Sequence, residues 1–173
     1  MIQPKTCLWF DTQAAEAAQL YTSVIPGGEI LSTSRYGEDL PHGVAGQVLT
    51  VEFRLGDQQF VALNGGPHFT HSPAASVQVF CEDQAEVDRI WDALIADGGA
   101  ESQCGWLTDR FGFSWQVIPT RYLELAADPD PEVAGRVTRA MLQMRKLDIA
   151  ALEAAALADS GAGMPSTMGA DRA

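Results

Sequence analysis

Apolar positions along this chain follow two rhythms, and the pair of rhythms occurs twice. Cys7-Leu8-Trp9-Phe10 is a short unbroken apolar run suited to a buried strand, after which Ala14, Ala17, Ala18, Tyr21 and Val24 fall at helical spacing. Asp11 or Thr12 offers a side-chain oxygen to cap that helix, and Pro26-Gly27-Gly28 ends it. Residues 29 to 36 and 47 to 55 read as strands joined by the Gly/Pro-rich stretch 37 to 46. Gly56-Asp57 then turns the chain into a fourth strand, Gln59 to Asn64.

The second half repeats this order. Val77 to Cys81 is a strand, Asp83-Gln84-Ala85-Glu86 has the form of a capping box, and Val87, Ile90, Trp91, Leu94 and Ile95 make a helical stripe ended by Gly98-Gly99. The stretch from Cys104 to Pro119 reads as strands around a polar turn at Thr108 and Asp109, with a glycine break at Gly112. Its position in a turn predicts a solvated Asp109. Proline cannot donate to a sheet ladder, so the last strand should stop at Pro119. Each half is therefore strand, helix, three strands. Neither half buries both faces of its sheet and helix alone, so the two should pack together as an α+β fold with internal duplication.

Beyond Pro119 the pattern is helical. Asp130-Pro131-Glu132 starts a helix that carries Val133, Val137, Ala140, Met141 and Met144, with Arg145 and Lys146 in its last turn, suited to the helix dipole. Asp148 caps a further helix to Leu157, and small polar residues from Asp159 predict a disordered tail.

Composition narrows the class. Over 173 residues, 46% are apolar, enough for one sizeable core. Lysine and arginine number 11 against 23 aspartates and glutamates, a formal charge of −12 that repels phosphate backbones and excludes nucleic acid and anionic membranes as partners. Cys7, Cys81 and Cys104 are odd in number and far apart, which argues against a disulfide framework or a zinc site and for a reducing compartment. No charged-then-apolar leader and no membrane-length apolar run is present, so a soluble, cytoplasmic protein is expected.

Five blocks carry a family resemblance: Leu8-Trp9-Phe10-Asp11, Leu49 to Phe53, Ala62-Leu63-Asn64-Gly65-Gly66-Pro67, Cys104-Gly105-Trp106, and Asp128-Pro129-Asp130-Pro131. With them the chain resembles, over residues 5 to 158, the PhnB-like, or 3-demethylubiquinone-9 3-methyltransferase-like, proteins of the vicinal oxygen chelate (glyoxalase/bleomycin resistance/dioxygenase) superfamily. The resemblance implies two βαβββ modules, residues 1–70 and 71–119, forming an eight-stranded, incompletely closed sheet with a concave cleft. It places C-terminal helices at 120–158 and the tail at 159–173, and it implies a homodimer.

Metalloenzymes of the superfamily present His and Glu from the first and last strands of each module. Here those four strands hold neither residue nor any aspartate, so a metal site, and any cofactor, is expected to be absent. What they offer for ligand binding is amides and aromatics, Asn64, Gln78 and Gln116 together with Trp9 and Trp115, to which the Cys104-Gly105-Trp106 block adds Cys104 and Trp106, a set that suits a neutral, flat or carbonyl-bearing molecule. The same amides could instead satisfy backbone groups or face solvent. Trp91 belongs to the core by its place in the helical stripe. Cys104 is the best-placed nucleophile, yet no His or Lys near it in sequence would form a thiolate, so a structural thiol is the competing reading. His42, His68 and His71 lie in loops and are read as structural or solvated; they are also the only side chains that titrate unperturbed near neutrality. Gly-Gly pairs stand at 27, 65 and 98, none between a strand and the helix after it, so the glycine turn of a methyl-donor site is missing. The resulting expectation is a protein that binds a small organic molecule in its cleft, the alternatives being an enzyme of the same superfamily or a sequestering resistance protein.

Overall fold

The computed structural model describes residues 4–38 and 43–158. The first half runs β1 (Thr6–Phe10), α1 (Ala14–Val24), β2 (Glu29–Arg35), β3 (Val48–Leu55) and β4 (Gln58–Asn64). The second runs β5 (Ser76–Cys81), α2 (Gln84–Ile95), β6 (Ala100–Glu101), β7 (Trp106–Thr108) and β8 (Ser114–Pro119). The eight strands divide into two open four-stranded sheets, ordered β1-β4-β3-β2 and β5-β8-β7-β6. In both, the first and last strands of the half lie side by side and parallel, as two copies of one βαβββ module require. His42 and the tail from residue 159 fall outside the described residues.

Alternation along the strands decides which side each sheet buries. Val51, Phe53 and Leu55 of β3 and Phe60 and Ala62 of β4 point to the helix side and are buried, while Glu52, Val61 and Leu63 turn to the open face. The alanines of α1 bring that helix close to its sheet, and its one large inward residue, Tyr21, reaches across to the second module. The Tyr21 ring lies 4.8 Å from that of Trp115 and 6.1 Å from that of Phe53. Trp91 of α2 is wholly buried and donates its indole N–H to Glu101 Oε1 at 3.2 Å. Residues of both sheets and both helices thus form one continuous core, and Arg89 of α2 adds a polar tie by donating to the Val24 carbonyl at 2.9 Å.

Helix starts follow local chemistry in three cases and long-range chemistry in one. Asp83 accepts from the Glu86 amide at 2.8 Å, and Glu86 reaches back to the Glu82 amide at 2.9 Å, a box displaced by one residue. Asp130 and Asp148 cap α4 (Pro131–Met141) and α5 (Ile149–Leu157). For α1 neither Asp11 nor Thr12 is the cap: the helix begins at Ala14, whose amide donates to Asn64 Oδ1 at 2.8 Å from the far end of β4.

The C-terminal region contains a helix the periodicity did not single out, α3 (Thr120–Ala126), which leaves β8 directly after Pro119. Leu125, Val137, Leu147 and Leu152 gather the three helices around a small second core. Arg145 and Lys146 do not extend α4, which stops at Met141. The chain tightens at the helix end, where the Gln143 and Met144 amides reach the Ala140 and Met141 carbonyls only three residues back, and beyond it the Met144 and Arg145 carbonyls accept the amides of Cys104 and Gly105, at 2.8 and 2.7 Å. Lys146 instead pairs with Asp88 of α2 at 2.9 Å.

Asp109 overturns its expected solvation. It is 2% exposed because three donors need its oxygens: the amides of Phe111 and Phe113 reach Oδ1 at 2.8 and 3.1 Å, and the Trp115 indole reaches Oδ2 at 2.9 Å. The turn between β7 and β8 is folded around a carboxylate that the second core strand encloses. Removing it strands three buried donors, so Asp109→Ala is expected to lower unfolding stability by about 3 kcal/mol or more, and Asp109→Asn, which keeps one acceptor, by less. Urea unfolding of the three proteins at constant slope checks this.

Candidate functional site

Strands β1 and β4 run parallel and stop together, Phe10 opposite Asn64. The residues that follow each strand must therefore meet: the Gly65 amide donates to the Phe10 carbonyl at 2.9 Å and the Gly66 amide to the Asp11 carbonyl at 3.3 Å. Beside this junction opens a cleft of about 890 Å³. Its apolar wall includes Trp9, Ala15, Tyr36, Val48, Leu49 and Leu63, and Asp11, Glu16 and His68 bring ionisable groups to its lining.

The Asn64-Gly65-Gly66 block builds the cleft one residue at a time. Asn64, 7% exposed, accepts from Ala14 of α1 and donates Nδ2 to the Val48 carbonyl of β3 at 2.9 Å, while its own carbonyl accepts the Tyr36 hydroxyl at 2.6 Å. Gly65 has no side chain because the Trp9 ring lies where one would stand. Gly66, at φ +87°, presents its carbonyl to the Trp9 indole N–H at 2.8 Å. Trp9 is thereby fixed in one orientation, with Phe69 edge-on to it at 5.0 Å.

Of the expected ligand-binding residues, Trp9 and Asn64 come together here. The other five lie elsewhere. Gln78 and Gln116 face each other across β5 and β8, Gln78 donating to Gln116 Oε1 at 3.1 Å and Gln116 to Ser76 Oγ at 2.8 Å, so each amide has a protein partner. Trp115 lies wholly within the core, held by Asp109 and Tyr21. Cys104, at φ +59°, donates its amide to the Met144 carbonyl in the segment between α4 and α5, and Trp106 lies in β7 of the second sheet. Asp11, Glu16 and Tyr36 carried no site signal in the sequence beyond Asp11 as a helix cap. One signal was available: the residue after a first strand and the residue after its parallel partner always share an edge.

Three further titratable groups lie in or against the core: Tyr21 and Cys81, which are buried, and His71, which is half-buried. His71 packs its ring between Phe10 and Phe113, at centroid distances of 5.1 and 5.2 Å, and its buried Nε2 has no hydrogen-bond partner. Burial holds its pKa below the ordinary histidine value, and the charge of Asp109 opposes that only in part. Burial, with Asp109 second, pushes the Tyr21 phenol far up, and burial pushes the Cys81 thiol up to about 12. Among the described residues no group of three or more His, Cys, Asp or Glu side chains converges to hold a metal ion, and no helix is long and apolar enough to cross a membrane.

The family model described as 3-demethylubiquinone-9 3-methyltransferase matches residues 3–118. The chain belongs to that family. A solved member, the PhnB protein from Bacillus cereus, is 35% identical, with a TM-score of 0.62; the match covers 68% of this chain and 99% of that one. Protein PA1353 from Pseudomonas aeruginosa shares the fold at 22% identity, TM-score 0.56, covering 69% of this chain and 98% of its own. The fosfomycin resistance protein FosX from Mesorhizobium loti is also similar, at 11% identity and TM-score 0.47, over 68% and 92% of the two chains. No curated protein matches this chain. The family match ends at residue 118, one residue before β8 closes, so α3 to α5 are additional to it.

Two expected outcomes follow. Gly65→Ala should force the Trp9 indole out of its seat and cost about 1–3 kcal/mol of stability, read as a lower urea midpoint with a shifted tryptophan emission. For His71 the folded value is depressed, so below about pH 6.5 the unfolded chain binds a proton the folded chain refuses, and stability falls as pH falls. Between about pH 7.5 and about pH 5.5 the wild-type melting temperature should drop more than that of His71→Gln.

Proposed function

We propose that this chain binds a small organic molecule in the cleft at the ends of β1 and β4. The observation that supports it is the cleft's construction. Its volume of about 890 Å³ falls in the range of small-molecule sites, and its largest aromatic side chain, Trp9, is pinned by Gly65 and Gly66 rather than left to rotate. A preset aromatic wall lowers the ordering cost of binding. Absence of a metal belongs to the same reading, since the strands that would supply its ligands present Cys7, Leu63, Gln78 and Gln116 in place of histidines and carboxylates. Three unpaired cysteines favour a reducing compartment such as the cytoplasm. A pair of chains is also part of the proposal, because Phe80 stands half exposed on the open face of β5 and β2 is an uncovered edge carrying Ile30 and Leu31.

The family's description supports a second reading, methyl transfer. The residues do not form the glycine turn between strand and helix through which a methyl donor is usually held: α1 starts after Asp11-Thr12-Gln13 and α2 after Glu82-Asp83. No step is therefore assigned to that cofactor, and saturable uptake of S-adenosylmethionine by calorimetry would favour this second reading over the first.

The test of the first uses Nile red, a neutral flat probe. Titration should give saturable binding near one probe per chain, weakened about ten-fold or more in Leu49→Trp, whose added ring occupies the cleft, provided circular dichroism shows that variant folded. Equal affinity in the folded variant places the probe elsewhere and ends the proposal. Calorimetry with divalent metals adds a check: tight stoichiometric uptake contradicts the metal-free reading.

A further inference from the structure

The two modules end differently, and the difference bears on what the cleft accepts. In the second module, the ends of β5 and β8 and the start of α2 are covered by the chain itself. Strand β8 runs straight into α3, with the Thr120 hydroxyl donating to the Cys81 carbonyl at 3.2 Å. The segment before α5 lies along α2, where the Gln84 side chain donates to the Leu147 carbonyl at 3.1 Å and accepts the Ile149 amide at 2.9 Å. That segment brings cations to acids. Lys146 lies 2.9 Å from Asp88 and 3.5 Å from Asp92, and Arg145 lies 3.5 Å from Glu101.

In the first module the corresponding end, where β1 and β4 stop and α1 starts, is the open cleft. It too is acidic: Asp11 and Glu16 are in its lining, which among the described residues contains no lysine or arginine. Neither carboxylate is engaged by a protein cation among the described residues. We infer that the first-module cleft selects a small molecule carrying a positive charge on a flat apolar body, the charge meeting Asp11 and Glu16 and the body lying along Trp9 and Leu63. This rests on the small-molecule reading above and refines it. It departs from the neutral ligand that the amides suggest, because Asn64 spends both its side-chain groups on Ala14 and Val48 and has little left for a ligand.

Competing electrostatics are weaker. The N-terminus of α1 borders the cleft and would favour an anion, but its partial charge of about half a unit is set against two full negative charges, and its Ala14 amide is already capped. The formal charge of −12 draws cations toward the surface as a whole, which raises encounter rates without choosing a site. Aromatic walls add to cation recognition wherever the charge approaches a ring face, and Trp9 and Tyr36 supply two.

The experiment uses the whole 173-residue chain and three probes of one shape: naphthylmethylammonium, naphthylmethanol and naphthoate. Calorimetric titration at low salt should rank them cation, alcohol, anion, with the cation about ten-fold tighter than the alcohol, and the gap should shrink as salt is raised. The exposed pair Asp11→Asn with Glu16→Gln should bring the cation's affinity down to that of the alcohol. If the alcohol or the anion binds as tightly as the cation, or if the double variant keeps the gap, the charge inference fails while the cleft stands. If none of the three binds, Nile red separates the readings: retained binding that Leu49→Trp weakens overturns the cationic class alone, and its loss overturns both.

Discussion

The first module is held together at one buried amide. Asn64 ends β4, caps α1 through Oδ1, ties the start of β3 through Nδ2, and receives the Tyr36 hydroxyl on its main-chain carbonyl. It also lies opposite Phe10, so that the end of β1 is in register with it. An amide can do this because it donates and accepts from one planar group; an aspartate could not donate to Val48 and a leucine could do neither. At 7% exposure each lost partner would be a buried polar group without a replacement from water. The cleft is a consequence: chain segments that converge on one residue leave a recess beside it, and Gly65 and Gly66 decide what lies against that recess.

The second module solves the same problem with different chemistry. Pro119 stands opposite Cys81, where the first module has Asn64 opposite Phe10, and a proline has no side-chain group with which to cap a helix. Helix α2 is capped from its own sequence by Asp83, and the sheet end is closed by α3 and by the segment carrying Lys146. One duplicated topology has therefore given one open end and one occupied end. The polar interior has also been relocated. The carboxylate of Asp109 organises the β7–β8 turn and the Trp115 indole, while Tyr21 and His71 come near it from the first module and the intermodule loop.

Much of this was legible in the residues, for reasons that differ by element. Strand alternation in Leu49 to Leu55 and the helical stripe Val87, Ile90, Trp91, Leu94 reported the core faithfully because burial acts on each position separately. The capping box and the Asp130-Pro131 start were equally local. What was hidden depended on partners far along the chain. Asn64 capping a helix fifty residues earlier, Asp109 drawn inward by Trp115, and the chain beyond α4 held by the amides of Cys104 and Gly105 are each fixed by tertiary bonds. The candidate site split along the same line. Trp9 and Asn64 sit on neighbouring strands and meet, whereas Gln78, Gln116 and Trp106 belong to the other sheet, whose face does not contribute to the cleft.

The C-terminal helices illustrate how an addition becomes part of a fold. The family match stops at residue 118, yet the helices are joined to the second module by main-chain as well as side-chain bonds. The Cys104 and Gly105 amides donate outward to Met144 and Arg145, and the Gly105 carbonyl in turn accepts the Val117 amide at 2.8 Å, so one loop bridges β8 and the appendage. Gly105 adopts φ +83°, and a side chain there would press on the Val117 carbonyl and on Leu147. Leu147 belongs to the small core of the helices themselves. Glycine at this position thus serves the sheet and the added layer together, and the two cannot loosen independently: releasing the helices would free buried amides in the loop that positions β7. The helices are an integral part of the second module, joined to it through main-chain bonds and through Leu147 of their own core.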